Sequence, residues 1–196
     1  MRMRSTIGAV AVAAVLAGAV GGARAELPRR IAVALEPSYY VFDSSFFGLD
    51  NGLGVEAALR YEVAYDIYFE NAIGGFSTEG DGVPVSGIDY RLGALALFPV
   101  LIPYRPAARL GIGFLSANPL TVTPTDSFRP TQTTFYLVGG AGITKSLFEH
   151  VLLEAGASFW ITPYRYRIYR FNRSNVEMSE QRFIHLGISL GVSYTF

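Results

Sequence analysis

The sequence predicts an all-β fold, an eight-stranded antiparallel up-and-down transmembrane β-barrel, and three observations carry that prediction. The last fourteen residues alternate strictly. Ile184, Leu186, Ile188, Leu190, Val192, Tyr194 and Phe196 are apolar, while Gly187, Ser189, Gly191, Ser193 and Thr195 between them are small or hydroxylated. Side chains alternate across a strand, so one face is continuous hydrocarbon and the other is thin and polar. Second, seven earlier segments show related alternation, separated by connectors that are alternately long and short. Third, 51% of the residues are hydrophobic and only 16% charged, yet after the first 25 residues no run is long enough for a membrane helix. Strands closed into a barrel are the one non-helical way to place such a surface in lipid.

The elements follow in order. Residues 1–25 read as a secretory signal peptide, with basic Arg2 and Arg4, an apolar run from Ile7 to Val20 and the small-x-small site Ala23-Arg24-Ala25. Residues 26–196 form one domain, the barrel. Ile31 to Tyr40 is the first strand, and Asp43 to Gly54 a loop containing the turn signal Asp50-Asn51-Gly52. Val55 to Val63 is the second strand, and Tyr65-Asp66 a tight turn. The third, Ile67 to Phe76, is less regular: Ile67, Phe69 and Ile73 align, but Asn71 interrupts them. Ser77 to Gly87, rich in Gly and Asp, is expected as a long loop. The fourth strand is Ile88 to Phe98, followed by a connection from Pro99 to Pro106. Ala108 to Leu115 is the fifth, Asn118 to Thr131 a Pro- and Thr-rich loop, and Thr133 to Thr144 the sixth. Lys145 to His150 is a turn, Val151 to Ile161 the seventh strand, and Thr162 to Gln181 the longest loop before the closing strand.

A soluble barrel would place the apolar faces inside. The polar faces here are rich in Gly, Ser and Ala and carry few charges, of both signs, which suits a crowded lumen better than a solvated surface. The apolar faces run for about nine to eleven residues, the span of a tilted membrane strand. Aromatic residues near strand ends, Tyr61, Phe69, Phe98, Phe159, Tyr194 and Phe196, fit interfacial girdles. The apolar faces are therefore expected to meet lipid.

On the polar faces the sequence places Glu36, Glu56, Arg60, Glu62, Asp89, Arg91, Arg109 and Glu154. An eight-stranded barrel is about wide enough for side chains to fill. Buried charges need partners, and Arg forks match carboxylates well. The expected result is a salt-bridge network that plugs the lumen; a gated ion path is the alternative. Strict alternation continued past Ile161 turns Arg165 and Arg167 outward. Arg182 shares the parity of Ile184, so these three arginines are expected above the apolar belt, with Tyr164, Tyr166 and Tyr169 nearby, where Arg forks suit lipid phosphates.

Other classes of function find little footing. After residues 1–25, 13 basic residues stand against 16 acidic ones, a net charge of −3, so charge argues against nucleic-acid binding. The sequence has no cysteine and two histidines, which excludes disulfides and makes a transition-metal site unexpected. No cofactor is expected. Asn172-Arg173-Ser174 matches a glycosylation sequon, a short motif that carries no functional weight by itself.

The signal peptide, the eight alternating strands and the ending Ser193-Tyr194-Thr195-Phe196 resemble the small outer-membrane barrels of the OmpA, OmpX and OmpW kind. The resemblance implies export to the outer membrane of a Gram-negative bacterium. It also implies insertion by the barrel-assembly machinery through the strand ending Tyr194-Thr195-Phe196, contact with outer-membrane lipid and lipopolysaccharide, and a monomer. It leaves a structural or surface-interaction role and a narrow channel for small or apolar solutes as the two leading functions. Some barrels of this size modify lipid A. The His-x-Ser pair of the deacylases is missing at both His150 and His185. The palmitoyltransferase pattern could draw only on His185 with the dipeptides Asp43-Ser44 or Asp126-Ser127, which serve loop turns more simply. The expectation is a protein that is not an enzyme, with His185 as a lumen hydrogen-bond partner.

Overall fold

The computed structural model describes residues 30–42, 49–80, 82–100, 103–124, 129, 131–171, 174–182 and 184–196. The expected signal peptide, both Asp-Ser dipeptides and Asn172-Arg173 of the sequon lie outside the described residues. The strands in chain order are β1 (Ile31–Phe42), β2 (Gly52–Ala64), β3 (Ile67–Gly80), β4 (Val83–Leu97), β5 (Arg105–Asn118), β6 (Leu120–Pro124), β7 (Thr133–Phe148), β8 (Val151–Ile161), β9 (Tyr166–Phe171), β10 (Val176–Gln181) and β11 (Ile184–Thr195). Eight of them close into an antiparallel barrel in the order β1-β11-β8-β7-β5-β4-β3-β2. The seam is made by β1 and β11, from Ala32 opposite Thr195 to Phe42 opposite His185.

The apolar faces point outward. Leu35 and Leu190 are 56% and 59% exposed, while Ala34 and Ser193 on the opposite faces are each 1% exposed. A belt of exposed Leu, Ile, Val and aromatic residues this extensive needs lipid as its solvent. Phe69, Phe98, Phe159, Tyr194 and Phe196 are among its exposed members. The start of β1, the β2–β3, β4–β5 and β7–β8 connections and Phe196 share one end of the barrel; the remaining connections share the other, the loop end.

Three expected connectors differ. The segment Ser77 to Gly87 is not a long loop: β3 and β4 stay paired from Ser77 opposite Ser86 to Gly80 opposite Val83. The turn between them uses Gly82 at φ 74°, a backbone conformation that glycine adopts without a Cβ penalty. Beyond the apolar belt the outward face meets water and carries Ser77, Glu79, Pro84 and Ser86, while Thr78 and Val85 are buried on the inner face, so pairing continues without the hydropathy contrast of the membrane-facing stretch. The Asn118 to Thr131 and Thr162 to Gln181 loops contain β6, β9 and β10, which form a second sheet in the order β10-β9-β6 at the loop end. At the opposite end the tight turn at Tyr65-Asp66 has Asp66 at φ 58°, and the backbone N–H of Asp66 donates to Glu62 Oε1 at 3.0 Å.

Candidate functional site

The lumen is the site, and alternation decides what enters it. Strands β1 to β5 supply long charged side chains separated by small ones; Ala34, Ala58 and Ala72 form a cluster on the same wall. Strands β7, β8 and β11 supply Gly140, Gly142, Gly156, Ser158, Gly187, Ser189 and Gly191 on the opposite wall. The charged half reaches into the space the small half leaves. At Gly191 an added Cβ would lie 2.6 Å from Glu36 Cγ, so that position has to be glycine for Glu36 to stay where it is.

Three arginines organise the centre. Arg60 donates from three nitrogens to three carboxylates: Nη2 to Glu36 Oε1 at 2.6 Å, Nη1 to Glu154 Oε1 at 2.5 Å and Nε to Glu70 Oε2 at 2.8 Å. Arg91 Nη2 donates to Glu70 Oε1 at 2.9 Å and to Glu56. Arg109 forks onto Glu36, Nη1 to Oε2 at 3.0 Å and Nη2 to Oε1 at 2.6 Å, and its Nε lies 3.0 Å from Glu70 Oε1. Charge-assisted and paired contacts of this kind are the strong ones. Asp89 stands beside the cluster, near Arg91 but in no close ion pair with an arginine among the described residues; its Oδ2 accepts from the Tyr136 hydroxyl at 3.2 Å.

Of the residues singled out from sequence, Glu36, Glu56, Arg60, Arg91, Arg109 and Glu154 meet in this cluster, and Asp89 borders it. Glu62 does not join them; it is spent on the turn at Asp66. The residue that sequence reasoning missed is Glu70, which is 0% exposed and the only carboxylate in contact with all three arginines among the described residues. Its signal was parity: Glu70 falls on the face of Tyr68 and Ala72, opposite Phe69 and Ile73.

Beside the cluster a cavity of about 40 Å³ is lined by Glu36, Arg109, Glu154, Ser158 and Ser189, enough for a water molecule or two. Toward the loop end an aromatic layer crosses the lumen. Tyr136 stacks on Trp160 at 4.5 Å between ring centroids, and Trp160 lies 4.5 Å from His185. Tyr40, Phe42 and Phe76 continue the layer, and Leu120, Tyr166 and Ile168 from the second sheet close over it. His185 is buried within this layer. Among the described residues no group of three His, Cys, Asp or Glu could hold a metal ion.

The three outward arginines are not grouped on adjacent barrel strands. Arg167 lies on β9 in the second sheet, and its Nε donates to Glu180 at 2.7 Å. Strand pairing continued one residue beyond Gln181 opposite Tyr166 would bring Arg182 opposite Arg165, and both are exposed. Tyr164 is exposed but Tyr166 is buried in the cap, because β9 turns its even positions onto the barrel mouth.

No family model matches the sequence, and no curated protein matches it. Solved structures do match. Neisserial surface protein A (NspA) is similar over 86% of this chain and 97% of its own, at 15% identity and a TM-score of 0.60. A major outer membrane protein from Thermus thermophilus is similar over 87% of this chain and 100% of its own, at 12% identity and a TM-score of 0.59. The outer membrane protein OprG from Pseudomonas aeruginosa is similar over 86% of this chain and 95% of its own, at 11% identity and a TM-score of 0.51. The fold is that of the small eight-stranded outer-membrane barrels.

Proposed function

We propose that the chain is an integral outer-membrane protein of a Gram-negative bacterium with a structural or surface-interaction role, its lumen plugged by the charged cluster. The observation that carries the reading is Arg60, which ties Glu36 on β1, Glu70 on β3 and Glu154 on β8 together across the lumen. The aromatic layer and the second sheet add a further closure above it. What the barrel offers to the outside is then the second sheet and the loop-end hairpins. Planar-bilayer recording tests the plug: the purified chain gives no steady current, and a steady conductance overturns the reading.

The narrow-channel reading draws on one observation, the cavity against the wall of Ser158 and Ser189. Removing Arg109 widens that space, so Arg109→Ala is the variant in which leakage is expected first. The lipopolysaccharide contact rests on Arg165 and Arg182, whose exposed guanidiniums suit phosphate. Arg167 is engaged with Glu180. Lipid A binding in detergent at low salt, where charge effects are largest, is weaker for the double Arg→Ala variant if they bind it. The exposed Tyr194 and Phe196 at the end of β11 are the groups that the barrel-assembly machinery would grip. An acyl-transfer role has no support from His185, which is buried in the aromatic layer rather than facing lipid.

A further inference from the structure

Asn71 faces lipid. It lies on the outward side of β3 between Phe69 and Ile73, and it is exposed. Its register partners are Leu59 on β2 and Leu92 on β4, both outward-facing. Along β3 two outward residues lie on each side of it, Ile67 and Phe69 toward one end and Ile73 and Gly75 toward the other, so Asn71 sits mid-belt rather than at a rim. Among the described residues it is the one polar side chain in that part of the lipid-facing surface, and its amide makes no recorded hydrogen bond.

A primary amide has one acceptor oxygen and two N–H donors, and leaving them unpaired in hydrocarbon is costly. Acyl chains offer no partner, and headgroups lie at the rims. The group that satisfies the amide must sit at the same depth, on the lipid side, and present both a donor and an acceptor. A second copy related by a two-fold axis along the membrane normal meets this requirement: every residue then lies at the same depth as its counterpart, and a residue beside the axis faces its own. Two Asn71 amides so placed can exchange two N–H···O hydrogen bonds. The surroundings suit close approach, since Ala57 and Ala94 are diagonal neighbours of Asn71, opposite Ile73 and Phe69 respectively. We propose that the lipid face of β3, centred on Asn71, is the interface of a homodimer, in place of the monomer expected from the sequence. Polar side chains are a recurrent means of joining membrane segments.

The test uses the full chain in lipid bilayers, with association followed by fluorescence over a protein-to-lipid dilution series. Asn71→Leu folds, because leucine suits lipid, and it lowers the association constant by about tenfold, equivalent to ~1.4 kcal/mol. Asn71→Gln keeps the amide and retains most of the association. The natural sequence has no cysteine, so single-cysteine variants report proximity directly. Oxidation links Asn71→Cys into dimers but leaves Ala157→Cys, four strands away around the barrel on β8, unlinked. A wild type that stays monomeric throughout the series, an Asn71→Leu variant that associates equally well, or equal linking of the two cysteine variants overturns the proposal.

Discussion

Replacing Glu70 by alanine should destabilise the barrel more than replacing any other carboxylate of the cluster. Glu70 is wholly buried and lies 2.8 Å from Arg60, 2.9 Å from Arg91 and 3.0 Å from Arg109. Removing one partner of a buried ion pair costs roughly 3–5 kcal/mol, because a charge is left without compensation. Each arginine here keeps another carboxylate: Arg60 keeps Glu36 and Glu154, Arg91 keeps Glu56, and Arg109 keeps Glu36. That redundancy places Glu70→Ala near the lower bound, at about 3 kcal/mol. Glu154 is the contrast. It has one recorded contact, to Arg60 at 2.5 Å, its side chain is 11% exposed, and it borders the cavity, where water can replace it. Loss of one charged hydrogen bond at such a place costs about 1.5 kcal/mol. Urea unfolding in lipid vesicles measures both values. The readout is Trp160, the single tryptophan, stacked 4.5 Å from Tyr136 in the layer above the cluster. If Glu70→Ala falls within about 0.5 kcal/mol of Glu154→Ala, near the scatter expected of independent measurements, the idea that Glu70 organises the arginines is wrong.

Two further outcomes follow from the walls. Leu190→Arg, on the exposed face of β11, should destabilise the inserted barrel by roughly 2–4 kcal/mol, the range for a midplane charge; a soluble, stable variant would show that the faces are assigned the wrong way round. Gly191→Ala should cost roughly 1–3 kcal/mol by overpacking, since its Cβ would lie 2.6 Å from Glu36 Cγ and displace a carboxylate held by two arginines. The control is Gly139→Ala, whose nearest neighbour would be Leu110 Cδ2 at an ordinary 3.6 Å; equal urea midpoints for the two variants would remove the packing argument.

The wall of the barrel was legible because alternation is a local property. Leu35 and Ala34, or Leu190 and Gly191, declare opposite faces without reference to any other strand, and the Gly, Ser and Ala content of the inner face tells lumen from solvent. Glu70 escaped because Asn71 beside it broke the apolar series, so the parity of β3 was never carried through to its other face. The identity of the partners lies deeper. Arg60 and Glu154 are 94 residues apart in sequence and meet only because β1, β11 and β8 are neighbours once the seam closes. The second sheet was hidden for a different reason. Strand β9 does alternate, with Tyr166, Ile168 and Arg170 buried, but Arg170 on the buried side removes the hydropathy contrast. Its guanidinium lies 3.5 Å from Glu177 of β10. A buried arginine can masquerade as a surface residue whenever its partner comes from another strand, and Arg60, Arg91 and Arg170 share that condition. In the lumen the small faces around the arginines betrayed it; above the membrane, where the other face of β9 carries Arg167, Tyr169 and Phe171 rather than a continuous apolar series, nothing in the neighbouring residues did.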